Sequence, residues 1–168
     1  MNTSGNKHTS DNTCEDCGAD VAQGKAGCLQ IFEEILAREF SDNRYGTIHR
    51  LTVDTYSLQH PEAYMRSGKS FAAHLTGMCA AFEYEDALAL NRAVQRWLSA
   101  NPKTDKPVHL PDQRGNLTIA YIHSASDAEE HIKRVREWAW DVWSAWAEHH
   151  NLARGLIRRA AAELAKSE

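Results

Sequence analysis

Cys14, Cys17 and Cys28 form a Cys-x2-Cys-x10-Cys pattern near the start of a chain of 168 residues. Thiolates separated by two residues can both face one tetrahedral ion at about 2.3 Å from each sulfur. Gly18 directly follows the second cysteine, where a positive φ lets the backbone turn its N–H groups toward sulfur without strain. Cys28 opens a predicted helix, whose partial positive charge favours thiolate over thiol. Soft sulfur donors select zinc over magnesium or calcium, so the expected cofactor is Zn(2+). Three cysteines leave one position of a tetrahedron to fill. His60 is the first choice, with His49, His149, His150 or a water as alternatives, and a water there would open the site for catalysis.

Other uses of these cysteines fit less well. A thioredoxin-like pair shares the Cys-x2-Cys spacing but needs a strand-helix-strand context that the sequence lacks. Disulfides belong to oxidising compartments, and reduced, unligated thiols are the bland alternative. Cys79, between Met78 and Ala80 in a helical pattern, reads as a small buried hydrophobe.

The elements that must position these donors follow from hydrophobic period. Leu29, Ile31, Phe32, Ile35, Leu36 and Phe40 predict an amphipathic helix over Cys28–Phe40. Ile48, Leu51, Thr52, Thr55, Leu58 and Gln59 predict a second helix, which Pro61 ends. The short join makes the two antiparallel, so the start of one and the end of the other, Cys28 and His60, fall at the same end of the hairpin. His49 shares a helical face with His60 but lies roughly 16 Å away along the axis, too far for one ion. Further helices are predicted over Ser70–Glu83 and Asp86–Ser99. The proline-bearing stretch Asn101–Gly115 must be a loop. Leu117–Ile122 reads as a short helix rather than a strand. Ser126-Asp127-Ala128-Glu129 reads as a capping box ahead of a long helix through Ile132, Val135, Trp138, Ala139, Val142 and Trp146, with Asn151 and Gly155 as the expected points of bend or split.

A second constellation is polar. His49, Tyr56 and His60, with His74 and either His149 or His150 from facing helices, suggest a histidine-lined metal or acid-base centre inside a bundle. Against it, no histidine pair has the i, i+4 spacing of a helical zinc motif. Arg50 and Asp54 read as a surface ion pair, and Thr52 and Thr55 as back-bonded to helix carbonyls. Trp138, Val142 and Trp146 form one helical stripe, with Trp143 and His150 on its neighbour, which reads as core packing. The C-terminal run of Arg154, Arg158, Arg159 and Lys166 reads as a solvated face.

Composition bounds the class. Leu, Ile, Val and Phe number only 30, but 24 Ala and five Trp add apolar surface. The net charge of -4 argues against wholesale disorder and gives no overall field for nucleic acid or an anionic membrane. No run of about 20 apolar residues occurs, and residues 1–23 lack a signal-peptide centre. The reading is a cytoplasmic protein with residues 1–13 as a flexible tail and 14–168 as one all-α, zinc-binding domain. Its architecture is a bundle of about five helices with an N-terminal zinc knuckle-like loop.

The whole pattern resembles an uncharacterised bacterial domain-of-unknown-function family. Carrying the resemblance are Cys14, Cys17, Gly18 and Cys28; the run His49 to Pro61; His74-Leu75; Leu117-Thr118; and Trp138, Trp143, Trp146, His149 and His150. Glu15 departs from it, standing where such turns often hold Pro. The resemblance implies one intact domain and weight on these polar positions, and it carries no reaction. The expected role is structural zinc binding. A metal-dependent hydrolase or transferase using a His-lined site with Asp54 or a histidine as base, and a thiol-based redox or stress sensor, are the alternatives.

Overall fold

The computed structural model describes residues 12–100 and 102–166. Within them the ordered elements are helical: α1 Lys25–Ser41, α2 Asn43–Gly46, α3 His49–Gln59, α4 Pro61–Tyr64, α5 Gly68–Glu83, α6 Ala87–Ser99, α7 Ile119–His123, α8 Ala128–Ala145 and α9 His150–Ala165. Of the expected tail over 1–13, all but Asn12 and Thr13 lies outside the described residues. Thr13 pairs with Asp20 in an isolated bridge, and the Asn12 carbonyl accepts from Val21 N.

The five expected helices are α1, α3, α5, α6 and the α8–α9 pair, and the short Leu117–Ile122 helix is α7. α2 and α4 are single turns beside α3. The long C-terminal helix breaks at Trp146, upstream of both expected points, and Asn151 and Gly155 lie within α9. The His150 imidazole braces this break. Its Nε2 donates to the Trp143 carbonyl at 2.8 Å, a second donor beside Trp146 N at 3.0 Å, while a 3-10 turn over Ala147–His149 redirects the chain. The expected capping box shifts by one residue. Asp127 is the cap and accepts from Glu130 N at 2.9 Å, while the Glu130 carboxylate reaches back to Ser126 N and Oγ, each at 2.7 Å.

α3 sits at the centre, packed against α5 and α8, with α6 and α9 against α5 and each other, and α7 wedged between α1 and α8. Aliphatic scarcity is made good by aromatic bulk: Trp97, Trp138, Trp143 and Trp146 are buried, whereas Trp140 is exposed. Each buried indole removes roughly 200 Å² from water, a gross stabilisation of about 5 kcal/mol.

Thr52, Asp54, Thr55, Ser57 and Gln59 of α3 are buried with their partners. Thr55 Oγ1 donates to Leu51 O at 2.7 Å and Ser57 Oγ to Val53 O at 2.8 Å. Thr52 prefers the Glu39 carboxylate at 2.6 Å over the helix carbonyl of Ile48 at 3.4 Å. The Arg50–Asp54 pair is not a surface pair: the Asp54 side chain is 1% exposed and also accepts from His74 Nδ1 at 2.8 Å. Glu39 is likewise buried, held by His49 Nδ1 at 2.8 Å and His131 Nε2 at 2.9 Å. These two hydrogen-bonded clusters clamp α1, α3, α5 and α8 together. Gln59 does the same for the loop, donating to Arg114 O and Leu117 O and accepting from Trp138 Nε1 at 3.0 Å.

Candidate metal centre

The chain from Cys14 to Gly18 is a tight turn. Gly18 N donates to Cys14 O, and Cys14 N to Ala19 O, each at 2.8 Å. Gly18 has φ 77°, a value glycine adopts without the steric cost of a Cβ. The turn aims the N–H groups of Asp16 and Cys17 at the Cys14 sulfur and that of Ala19 at the Cys17 sulfur. Lys25, at the start of α1, ties the turn down through Asp16 at 2.8 Å. Three residues on, Cys28 lies in the first turns of α1, fully buried.

The fourth donor comes from the far end of α3. That helix stops at His60, whose backbone leaves helical geometry at φ -125°, ψ 51°, because Pro61 has no N–H to continue the ladder and starts α4 instead. Antiparallel arms therefore bring His60 to Cys28, as the hairpin argument requires. At the opposite end of the same hairpin, Glu39 meets His49 and Thr52.

The donor atoms of Cys14, Cys17, Cys28 and His60 all lie within 4.8 Å of one another, three of the residues being buried and Cys17 half-buried. Cys28 Sγ is 3.5 Å from His60 Nε2 and 3.7 Å from Cys17 Sγ, and Cys14 Sγ is 3.7 Å from His60 Nε2. A tetrahedron with metal bonds of about 2.3 Å to sulfur and about 2.0 Å to nitrogen has edges of about 3.8 Å between sulfurs and about 3.5 Å between sulfur and nitrogen. Those three separations match the edges and the remaining three lie within 4.8 Å, so this group can hold a metal ion.

Electrostatics differ across the sulfurs. The Cys28 thiol is drawn down to about 4, first by its hydrogen bond with Cys17, against the opposing effect of burial, and then by His60 and Tyr56. Cys17 is pushed up as the protonated partner of that bond, and burial raises Cys14. Three thiols so close cannot all ionise without a cation among them.

Sequence reasoning undervalued Tyr56. Its hydroxyl lies 3.6 Å from Cys28 Sγ, and its ring is sandwiched between Phe32, at 3.8 Å between centroids, and His60, at 3.9 Å. Burial and the sulfur contact raise its own pKa, so it remains a donor. The signal was available: Tyr56 precedes His60 by one helical turn.

The other histidines do not join this group. His49 bonds Glu39, His74 bonds Asp54, His149 Nε2 donates to His109 O at 3.1 Å, and His150 stacks on Trp143 at 3.8 Å. Among the described residues they do not converge with one another into a cluster of three donors; the Cys14, Cys17, Cys28 and His60 group is the one that does. Cys79 is buried as expected, and burial raises its thiol to about 12.

Fold and site together define an all-α protein with a Cys3His donor cluster where its N-terminal turn meets a helical hairpin. The chain belongs to the family of unknown function DUF5946, whose profile matches residues 12–147. No curated protein and no solved structure matches it. No helix among the described residues is long and apolar enough to cross a membrane.

Proposed function

We propose that Cys14, Cys17, Cys28 and His60 bind one zinc ion in a closed structural site. In this reading the turn at Cys14–Gly18 acts as a zinc knuckle that fastens a core-poor segment to the bundle. The convergence of four donors within 4.8 Å, with three of their separations at the edge lengths of a zinc tetrahedron, carries the reading. Sulfur-rich donors favour zinc over the hard cations, and N–H groups aimed at two of the sulfurs offset thiolate charge. Four protein donors leave no position for a substrate or an activated water, which ranks the structural role above a metal-dependent hydrolase or transferase. A reducing, cytoplasmic setting is the one in which such thiolates persist.

Metal content of the purified chain by mass spectrometry, with melting before and after chelation, tests this. One zinc per chain and a steep loss of stability on chelation are expected. A metal-free protein that is indifferent to chelator overturns the reading. Peroxide addresses the redox alternative: zinc ejection at low oxidant with a reversible change of fold would favour a sensor built on the half-buried Cys17.

A further inference from the structure

At the other end of α3 from the cysteines, a cavity of about 470 Å³ opens between α3, α5, α6 and α8, a size typical of sites for small organic ligands. Its walls are chemically divided. Ile48, just before α3, Leu51 from α3 and Leu88 from α6 give an apolar side, and Leu88 is 62% exposed, a large apolar side chain left without cover. Arg92 of α6 and Arg136 of α8 line the cavity as well, and neither makes an ion pair among the described residues, although Arg44, Arg50, Arg114, Arg134 and Arg154 do.

The acidic group in the cavity wall, Asp54, is already matched. Arg50 Nε donates to it at 2.6 Å and His74 Nδ1 at 2.8 Å, and Arg50 is further fixed by the Ala73 carbonyl at 3.0 Å. Gly77 makes room for this arrangement, since a Cβ there would overlap Asp54 Oδ2. Asp54 is therefore a neutralised part of the floor, and the two arginines leave unbalanced positive charge in a protein whose net charge is -4. A pocket with a cationic end and an apolar wall is complementary to an anion that carries an apolar body.

We infer that this cavity binds a small organic acid, its carboxylate, sulfonate or phosphate head on Arg92 and Arg136 and its apolar body against Leu88, Ile48 and Leu51. The site is separate from the cysteine cluster and its test does not depend on metal identity.

The probe is 8-anilinonaphthalene-1-sulfonate, titrated into the folded, metal-containing chain, with hexanoate, hexylamine and inorganic phosphate as competitors. One probe per chain is expected, displaced by hexanoate but not by hexylamine, and by phosphate only at much higher concentration. Arg92→Ala with Arg136→Ala should weaken probe binding about tenfold by removing two charged donors. Leu88→Gln should weaken it severalfold, and Arg44→Ala, away from the cavity, should leave it unchanged. All of these side chains are exposed, so folding should survive, as an unaltered melting temperature would show. Absence of saturable binding, equal displacement by hexylamine, or unchanged affinity in the double variant overturns the inference. Phosphate competing as well as hexanoate overturns the apolar half of it. Should the double variant not fold, the comparison of hexanoate with hexylamine on the unaltered chain decides.

Discussion

His60 Nδ1 donates to the carbonyl of Tyr56, one turn back on the same helix, at 2.9 Å. A carbonyl can only accept, so Nδ1 carries a proton, and Nε2 is the ring nitrogen that faces the sulfurs of Cys14 and Cys28. The ring is thereby oriented so that Nε2 is the nitrogen a metal among those sulfurs would take.

Replacing His60 should therefore remove a ligand and leave the buried sulfurs unmatched. For His60→Ala, or for Cys28→Ser, zinc per chain should fall well below one and the melting temperature should drop by about 10 °C or more. Mass spectrometry and calorimetry on the same preparations check both. Retention of a full zinc by His60→Ala would return the fourth position to water.

Tyr56→Phe separates the hydroxyl from the ring. The stack with Phe32 and His60 should survive, keeping the fold, while the donor to Cys28 Sγ is lost. Zinc affinity should fall about tenfold, within the range seen for groups that bond to ligands. Competition against a chromophoric chelator measures it; equal affinity in the two proteins would make the hydroxyl a bystander.

Glu39 accepts from His49, His131 and Thr52 while fully enclosed. Glu39→Gln turns one acceptor oxygen into a donor facing other donors, at a cost of about 1–3 kcal/mol. Urea unfolding should show a lower midpoint with an unchanged slope, and zinc content should not change, because the cluster lies at the opposite end of the hairpin.

Glu130 gives the pH signature. Backbone and side-chain bonds from Ser126, with Arg134, hold its carboxyl at about 2, below its ordinary value of 4.5. A depressed folded pKa means its stabilising contribution is complete above about pH 4.5 and fades as pH falls toward 2. The melting-temperature gap between the natural chain and Glu130→Gln should thus be present at pH 7 and narrow across that window. A gap constant down to pH 2 would contradict the assignment.

Much of this was legible in the chain itself. Apolar spacing marks α1, α3, α5, α6 and α8, since each must bury one stripe, and Pro61 marks where α3 ends. Antiparallel pairing of α1 and α3 then leads from Cys28 to His60 by chain geometry alone. The position of the α8–α9 break was not legible, because the contact that braces it runs from the His150 side chain to a carbonyl seven residues earlier, which no local propensity signals. Nor could the sequence separate histidines by role. His49, His74, His149 and His150 have the same side chain as His60, and their partners Glu39, Asp54, His109 and Trp143 stand 7 to 40 residues away.

The sequence by itself determined the helical class, the turn of Cys14 to Gly18 and the shared end of Cys28 and His60, all consequences of short-range spacing. Only the tertiary structure decided that Tyr56 would support a sulfur, that Glu39 and Asp54 would be buried as clamps, and that Arg92 and Arg136 would face one cavity. Those outcomes depend on which helix faces meet. Helices related by packing carry no fixed register in the chain, so their contacts exist only once the core has closed.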